Sequence, residues 1–153
     1  MSQITLDEII SHRAPMSLLS RFVSSDDESA LCEIDVTPET AFFDDSIGGV
    51  PAHIGIEYIA QTIAAYAGKK ARDSGEQVKI GFLLGTRKLQ LHEDRFHVGE
   101  TYQVRVEQLY LEDNGLAVFE ATVSHGNSPI VSGNINTFQP DDVMQFLEED
   151  HID

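Results

Sequence analysis

The chain is poor in positive charge and in cysteine, it lacks long apolar runs, and it has no tryptophan. Ten lysines and arginines stand against 26 acidic side chains, a formal net charge of -16. No basic face is available to displace counterions from phosphate, so nucleic acid is excluded as a partner. The longest apolar runs fall short of the roughly 18 to 20 residues that a membrane-spanning helix needs. The start, MSQITLDEII, has neither the charged beginning nor the apolar body of a signal peptide. The expectation is therefore a cytoplasmic protein with no membrane partner. The single cysteine, Cys32, cannot close an internal disulfide, which agrees with a reducing compartment. With Ala30, Leu31, Glu33 and Ile34 alternating around it, Cys32 reads as a strand residue.

Several chemical signatures are also missing. There is no Gly-rich phosphate loop, dinucleotide fingerprint or G-x-S-x-G elbow. The six histidines, at 12, 53, 92, 97, 125 and 151, show no metal-ligand spacing, so no metal site is expected. At 153 residues the chain is expected to be one domain, 1-153, large enough to bury a core without staples.

What is present is organised around GGVPAHIGIEYIAQTIAAYAGKKARDSG, residues 48–75. Ile56, Ile59, Ala60, Ile63, Ala64 and Ala67 fall at helical spacing and predict a buried helix. Pro51 fits its first turn, Lys69, Lys70 and Arg72 suit its last turns, and Gly75 stops it. Glu57 in the first turns is either a solvated residue matched to the helix dipole or a buried, working acid or base. His53 stands four residues earlier and would share its face if the helix has begun there. Gly48 and Gly49 before the helix would let backbone N–H groups approach a ligand, or make a tight turn. Upstream, His12 precedes Pro15 and an apolar run and is expected to be held in place.

Residues 29–36 alternate and read as a strand after a polar turn at 24–28. After the helix, residues 78–91 predict a long bent strand, with Gly81 and Gly85 marking a bulge or a close approach. Residues 101–111 and 116–123 predict a hairpin turning at Asp113-Asn114-Gly115, and 129–138 a last strand. The acidic tail, 141-153, reads as a short helix or a solvated end. A buried helix followed by consecutive antiparallel strands predicts an α+β fold with a sheet curled round the helix. The sheet edge left open predicts a dimer.

Four stretches, SHRAPMSLLSRF, GGVPAHIGIEYIAQTIAAYAG, GFLLGTRKL and SGNINTFQP, together resemble the hotdog-fold dehydratases of the FabZ type, and more closely their ApeP-like, aryl-polyene branch. The resemblance covers nearly the whole chain. It implies a hotdog fold, in which a curved antiparallel sheet wraps one central helix and two subunits pair into a continuous sheet with active sites at their boundary. It implies a 3-hydroxyacyl carrier-protein dehydratase in which a histidine takes the proton next to the thioester carbonyl. A carboxyl group assists departure of the hydroxyl, and N–H groups at the helix start polarise the thioester oxygen.

Glu57 matches the family's helix carboxylate. The G-H-F-P loop of the FabZ type is replaced by Asp44-Asp45-Ser46-Ile47-Gly48-Gly49. The resemblance to the ApeP-like branch, which keeps the histidine of the H-x-x-P-M entry, implies His12 as the first candidate base and His53 as the second. Gly49, Pro51 and Gly85 are candidate substrate-binding positions. No cofactor is implied. The implied partners are an acyl carrier protein bearing a phosphopantetheine-linked substrate and a second hotdog subunit, identical or not. Carrier docking would use a local patch drawn from Lys69, Lys70, Arg72, Arg87 and Lys88. The rival functions are a hotdog thioesterase, with Glu57 activating water, and a non-catalytic subunit that only binds an acyl carrier or another hotdog chain.

Overall fold

The computed structural model of the chain describes residues 18–75 and 82–138. Among them a six-stranded antiparallel sheet runs in the order β1-β2-β6-β7-β8-β4. Its strands are β1 (Arg21–Ser25), β2 (Ser29–Asp35), β4 (Phe82–Leu91), β6 (Thr101–Leu111), β7 (Leu116–His125) and β8 (Ser128–Phe138). A short ribbon of β3 (Gly49–Pro51) and β5 (Arg95–His97) leads into a 3-10 turn, Ala52–Ile54, and then the helix α1 (Gly55–Asp73).

Alternation makes the sheet two-sided. Along β6, Tyr102, Val104 and Val106 are buried towards the helix, while Gln103, Arg105 and Glu107 alternate with them on the outer side. Register is therefore firmly set, because a one-residue slip would turn this apolar set to solvent. At the β6–β7 turn, Gly115 takes the positive φ of 96° that a side chain would resist, and Asn114 Oδ1 accepts the Leu116 N–H at 3.0 Å. The outer face is tied together by Arg21. Its guanidinium bridges Glu33 at 2.6 Å and Asp35 at 2.8 Å, and Thr101 Oγ1 donates to Asp35 Oδ1 at 2.7 Å.

Three expectations are corrected. The helix begins at Gly55, because Pro51 ends β3 with φ -56° and ψ 140° and heads the 3-10 turn. The turn still places Pro at a helical entrance, as its fixed φ favours. The buried face is Tyr58, Ile59, Gln61, Thr62, Ile63, Ala65, Tyr66 and Gly68, whereas Ile56, Ala60, Ala64 and Ala67 are half-buried. The apolar set read from the sequence thus spans two faces. Strand β1 was not expected either; RFVSS is short and polar, and it is held by pairing with β2.

Candidate active site

The direction of each helix face follows from its contacts. Thr62 lies against Cys32 of β2, and the Tyr66 ring packs edge-on to Phe119 of β7 with centroids 5.6 Å apart. At about 100° per residue, moving round α1 from Thr62 to Tyr66 leads past Ile59 and Ile63 to Ile56, Ala67, Ala60 and Ala64. That sense runs from β2 towards β8 and β4. The half-buried alanine stripe therefore borders the part of the sheet that α1 does not cover, and Glu57 heads it.

Beneath the helix start, rings stack from Tyr58 to Phe96 at 5.4 Å and from Phe96 to Tyr102 at 5.0 Å. Tyr102 Oη accepts the His97 N–H at 2.6 Å. Tyr58 is fully buried, and burial raises its phenol well above the ordinary range; its hydroxyl has no hydrogen-bond partner among the described residues. Gly55 allows this packing, since a Cβ there would stand 2.7 Å from Val131 of β8. The first turn of α1 is thereby fixed on the sheet.

Glu57 points the other way. It is exposed, and among the described residues it makes no hydrogen bond or ion pair. His53, in the 3-10 turn, is also exposed and forms no hydrogen bond or ion pair with Glu57. No side chain caps the 3-10 turn or α1, so the positive end of the dipole faces the same region as the carboxylate. One turn on, Gln61 Oε1 accepts the Leu18 N–H at 2.7 Å and pins the incoming chain beside α1. His12 lies outside the described residues, as does the tail 141-153.

The loop that lacks the FabZ-type histidine is closed on itself. Asp44 Oδ1 accepts the Ser46 N–H at 2.9 Å and its Oγ–H at 2.6 Å, bonds that lower the Asp44 pKa. The Asp44 carbonyl accepts from Gly48 at 3.0 Å and Gly49 at 3.4 Å, and Arg95 donates to Ile47 O at 2.7 Å. The Gly49 amide is thus turned into its own loop. A Cβ at Gly49 would stand 2.1 Å from Phe96 O, so this glycine is required by the β3–β5 approach. Gly85 on β4 has the reverse surroundings: nothing lies within 4 Å of where its Cβ would be. Cys32 is fully buried and its thiol is pushed up to about 12 by burial, so it is no nucleophile. Among the described residues no cluster of His, Cys, Asp or Glu is fit to hold a metal, and no helix is long and apolar enough to cross a membrane. Sequence reasoning missed Gln61, a polar residue inside an apolar run that faces the chain entry.

A family model described as ApeP dehydratase matches residues 4–148. The chain belongs to the ApeP-like dehydratase family. Among solved structures, the dehydratase heterocomplex ApeI:P from Xenorhabdus doucetiae aligns with a TM-score of 0.86 at 26% identity, covering 95% of this chain and 99% of that one. An uncharacterized protein from Pyrococcus horikoshii aligns at 0.67 and 10% identity, over 95% and 99% of the two chains. A hypothetical thioesterase with coenzyme A from Streptococcus pneumoniae aligns at 0.62 and 8%, over 78% and 84%. The last two share the fold, which is the hotdog fold. Among curated proteins none matches. Within the ApeP-like family a dehydratase role is the one the chain's membership supports.

Proposed function

We propose that this ApeP-like protein removes water from a 3-hydroxyacyl thioester carried on an acyl carrier protein, giving a trans-2-enoyl thioester in a polyene or fatty-acid-type pathway. The observation that carries the reading is Glu57: a carboxylate exposed, and unpartnered among the described residues, at the start of a helix otherwise packed into the core, with no side-chain cap.

In the proposed reaction a histidine accepts the C2 proton, the electron pair of that C2–H bond forms the C2–C3 double bond, and the C3–O pair leaves with the hydroxyl, which takes a proton from Glu57 in its acid form and departs as water. Uncapped N–H groups at the helix start would hold the charge that develops on the thioester oxygen. The half-buried Ala60, Ala64 and Ala67 would line the acyl chain, with Pro51, Gly49 and Gly85 shaping the approaches. His12 remains the first candidate base, because Leu18 is held one turn from Glu57 and six residues of extended chain reach roughly 20 Å. His53 is the second.

One observation favours a second reading. The loop at 44–49 has no histidine and is satisfied by its own hydrogen bonds, so the base could come from another hotdog subunit, with this chain as the assisting partner. Incubating the protein with a 3-hydroxyacyl carrier-protein thioester and following acyl mass separates these readings. Loss of one water by wild type, abolished by both Glu57→Gln and His12→Ala, supports a complete dehydratase. Loss that survives His12→Ala moves the base to His53 or elsewhere. Release of free thiol indicates a thioesterase, and an unchanged mass leaves the partner-subunit reading.

A further inference from the structure

The chain has asparagines at 114, 127, 134 and 136, and of these Asn114 alone is followed by glycine. An asparagine carboxamide is open to attack by the backbone nitrogen of the next residue, which closes a five-membered ring. The attack needs that nitrogen unshielded by a side chain, a backbone able to turn, and a polarised carboxamide carbonyl. The β6–β7 turn brings these together at one position. Asn114 is exposed at the tip, and Gly115 has no Cβ to cover its nitrogen. Asn114 Oδ1 accepts the Leu116 N–H at 3.0 Å. That bond draws electrons towards the oxygen and would hold the charge gathering there under attack, as an oxyanion-hole donor does. It also keeps the carboxamide beside the peptide bond between Asn114 and Gly115, because an oxygen bonded two residues ahead closes a ring that contains that bond. The Gly115 N–H donates to Glu112 O at 3.0 Å. Attack therefore waits on the opening of one hydrogen bond, at a hairpin tip, where fraying costs least.

The other asparagines lack this combination. Asn127 is exposed, but the nitrogen after it belongs to Ser128, which carries a side chain and begins β8 in register with His125. Asn134 and Asn136 are half-buried in β8, between β4 and β7, and precede the β-branched Ile135 and Thr137.

We infer that Asn114 is a site of self-modification, deamidating through a succinimide formed with Gly115. The Gly115 nitrogen gives up its proton and bonds to Asn114 Cγ. The bond from Cγ to the carboxamide nitrogen breaks, and that nitrogen leaves with the proton as ammonia. Water opening the ring at Cγ gives aspartate; water opening it at the main-chain carbon gives isoaspartate, with the chain running through Cβ and Cγ and longer by one atom. The products differ in effect. An aspartate at 114 still accepts from Leu116, so β6 and β7 stay joined. The longer isoaspartate backbone displaces the bonds that close the turn, Glu112 N–H to Leu116 O at 2.8 Å and Gly115 N–H to Glu112 O. Either product adds a negative charge beside Glu112 and Asp113, in a chain already at -16. Gly55 packs on Val131, in register with Val123 of β7, and Tyr66 packs on Phe119, so the turn lies towards the opposite end of α1 from Glu57.

The test reads mass rather than turnover, so its failure leaves the dehydratase reading untouched. Folded protein is aged in mildly acidic and mildly alkaline buffer, then cut by a protease that cleaves after glutamate. Peptide 113–120 carries Asn114 alone, and 121–148 carries the other three asparagines. Peptide 113–120 is expected to gain about one mass unit, as two products that separate by chromatography, at least about tenfold faster than 121–148. The gain is expected to be faster in alkali, because the Gly115 amide must lose its proton. Freshly prepared Asn114→Asp is expected to keep the urea midpoint of wild type, whereas the isoaspartate fraction of aged wild type unfolds at lower urea. Conversion of 121–148 at an equal rate overturns the inference. So does a peptide 113–120 that stays unchanged in the folded protein while the urea-unfolded chain converts there.

Discussion

Gly49 illustrates how a residue chosen for one reason can serve another. Two glycines ahead of a helix invite the idea of backbone amides offered to a ligand. Here Gly48 takes the positive φ of 66°, and Gly49 lets the Phe96 carbonyl come where a methyl group would be. The obstacle is backbone, so it cannot swing aside. Gly49→Ala is expected to destabilise the protein by roughly 2 to 3 kcal/mol, read as a lowered urea midpoint with an unchanged slope. Gly85→Ala, facing open space, is expected to leave the midpoint within about 0.5 kcal/mol of wild type. Neither contrast was legible in the sequence, because a close backbone approach leaves no mark except the glycine itself. Glu57 was legible: a charged residue among Ile56, Tyr58 and Ile59 needs either solvent or a task. Its freedom from partners required coordinates.

At the level of elements, legibility followed the strength of the period. Strands β6 and β7 were readable because buried positions recur at every second residue, over the first half of β6 and most of β7, and a D-N-G turn joins them. The β3–β5 ribbon was not, since three residues cannot show a period and their pairing spans 44 positions at Pro51–Arg95 and 48 at Gly49–His97. The helix shows a subtler limit. A helix packed on one sheet should have one apolar arc, whereas α1 has a buried arc and an adjoining stripe of small residues, which the sequence merges into one broad face. The stripe is wide enough to be recognised only after Thr62 and Tyr66 locate the sheet. If it lines the acyl chain, Ala64→Phe should raise KM for long acyl thioesters about tenfold or more while short ones are turned over as by wild type. The thermal midpoint is measured alongside, because Ala64 is half-buried and packs against the core. Equal loss for short and long chains would place the acyl chain elsewhere.

For the whole molecule, charge dominates. A formal -16 spread over one small fold means that most carboxylates see other carboxylates, and compaction works against that repulsion. At neutral pH the thermal midpoint is therefore expected to rise with sodium chloride across the range where the screening length falls from about 30 Å to about 8 Å. A few carboxylates act in the opposite sense. Asp35, held by Arg21 and Thr101, and Asp26, Asp44 and Asp94, held by their own donors, all have pKa values lowered from 3.8 in the folded chain. A lowered folded value stabilises at pH above 3.8 and is lost as pH falls through it, because the unfolded chain then binds more protons. Acid should thus relieve the general repulsion first, as ordinary carboxylates begin to protonate, and only then remove the Arg21–Asp35 network. The midpoint measured against pH at low salt should pass through a maximum on the acidic side of neutrality, and the salt-induced rise should fade there. A midpoint at neutral pH that falls on adding salt would mean that the ion pairs on the outer face outweigh the net charge.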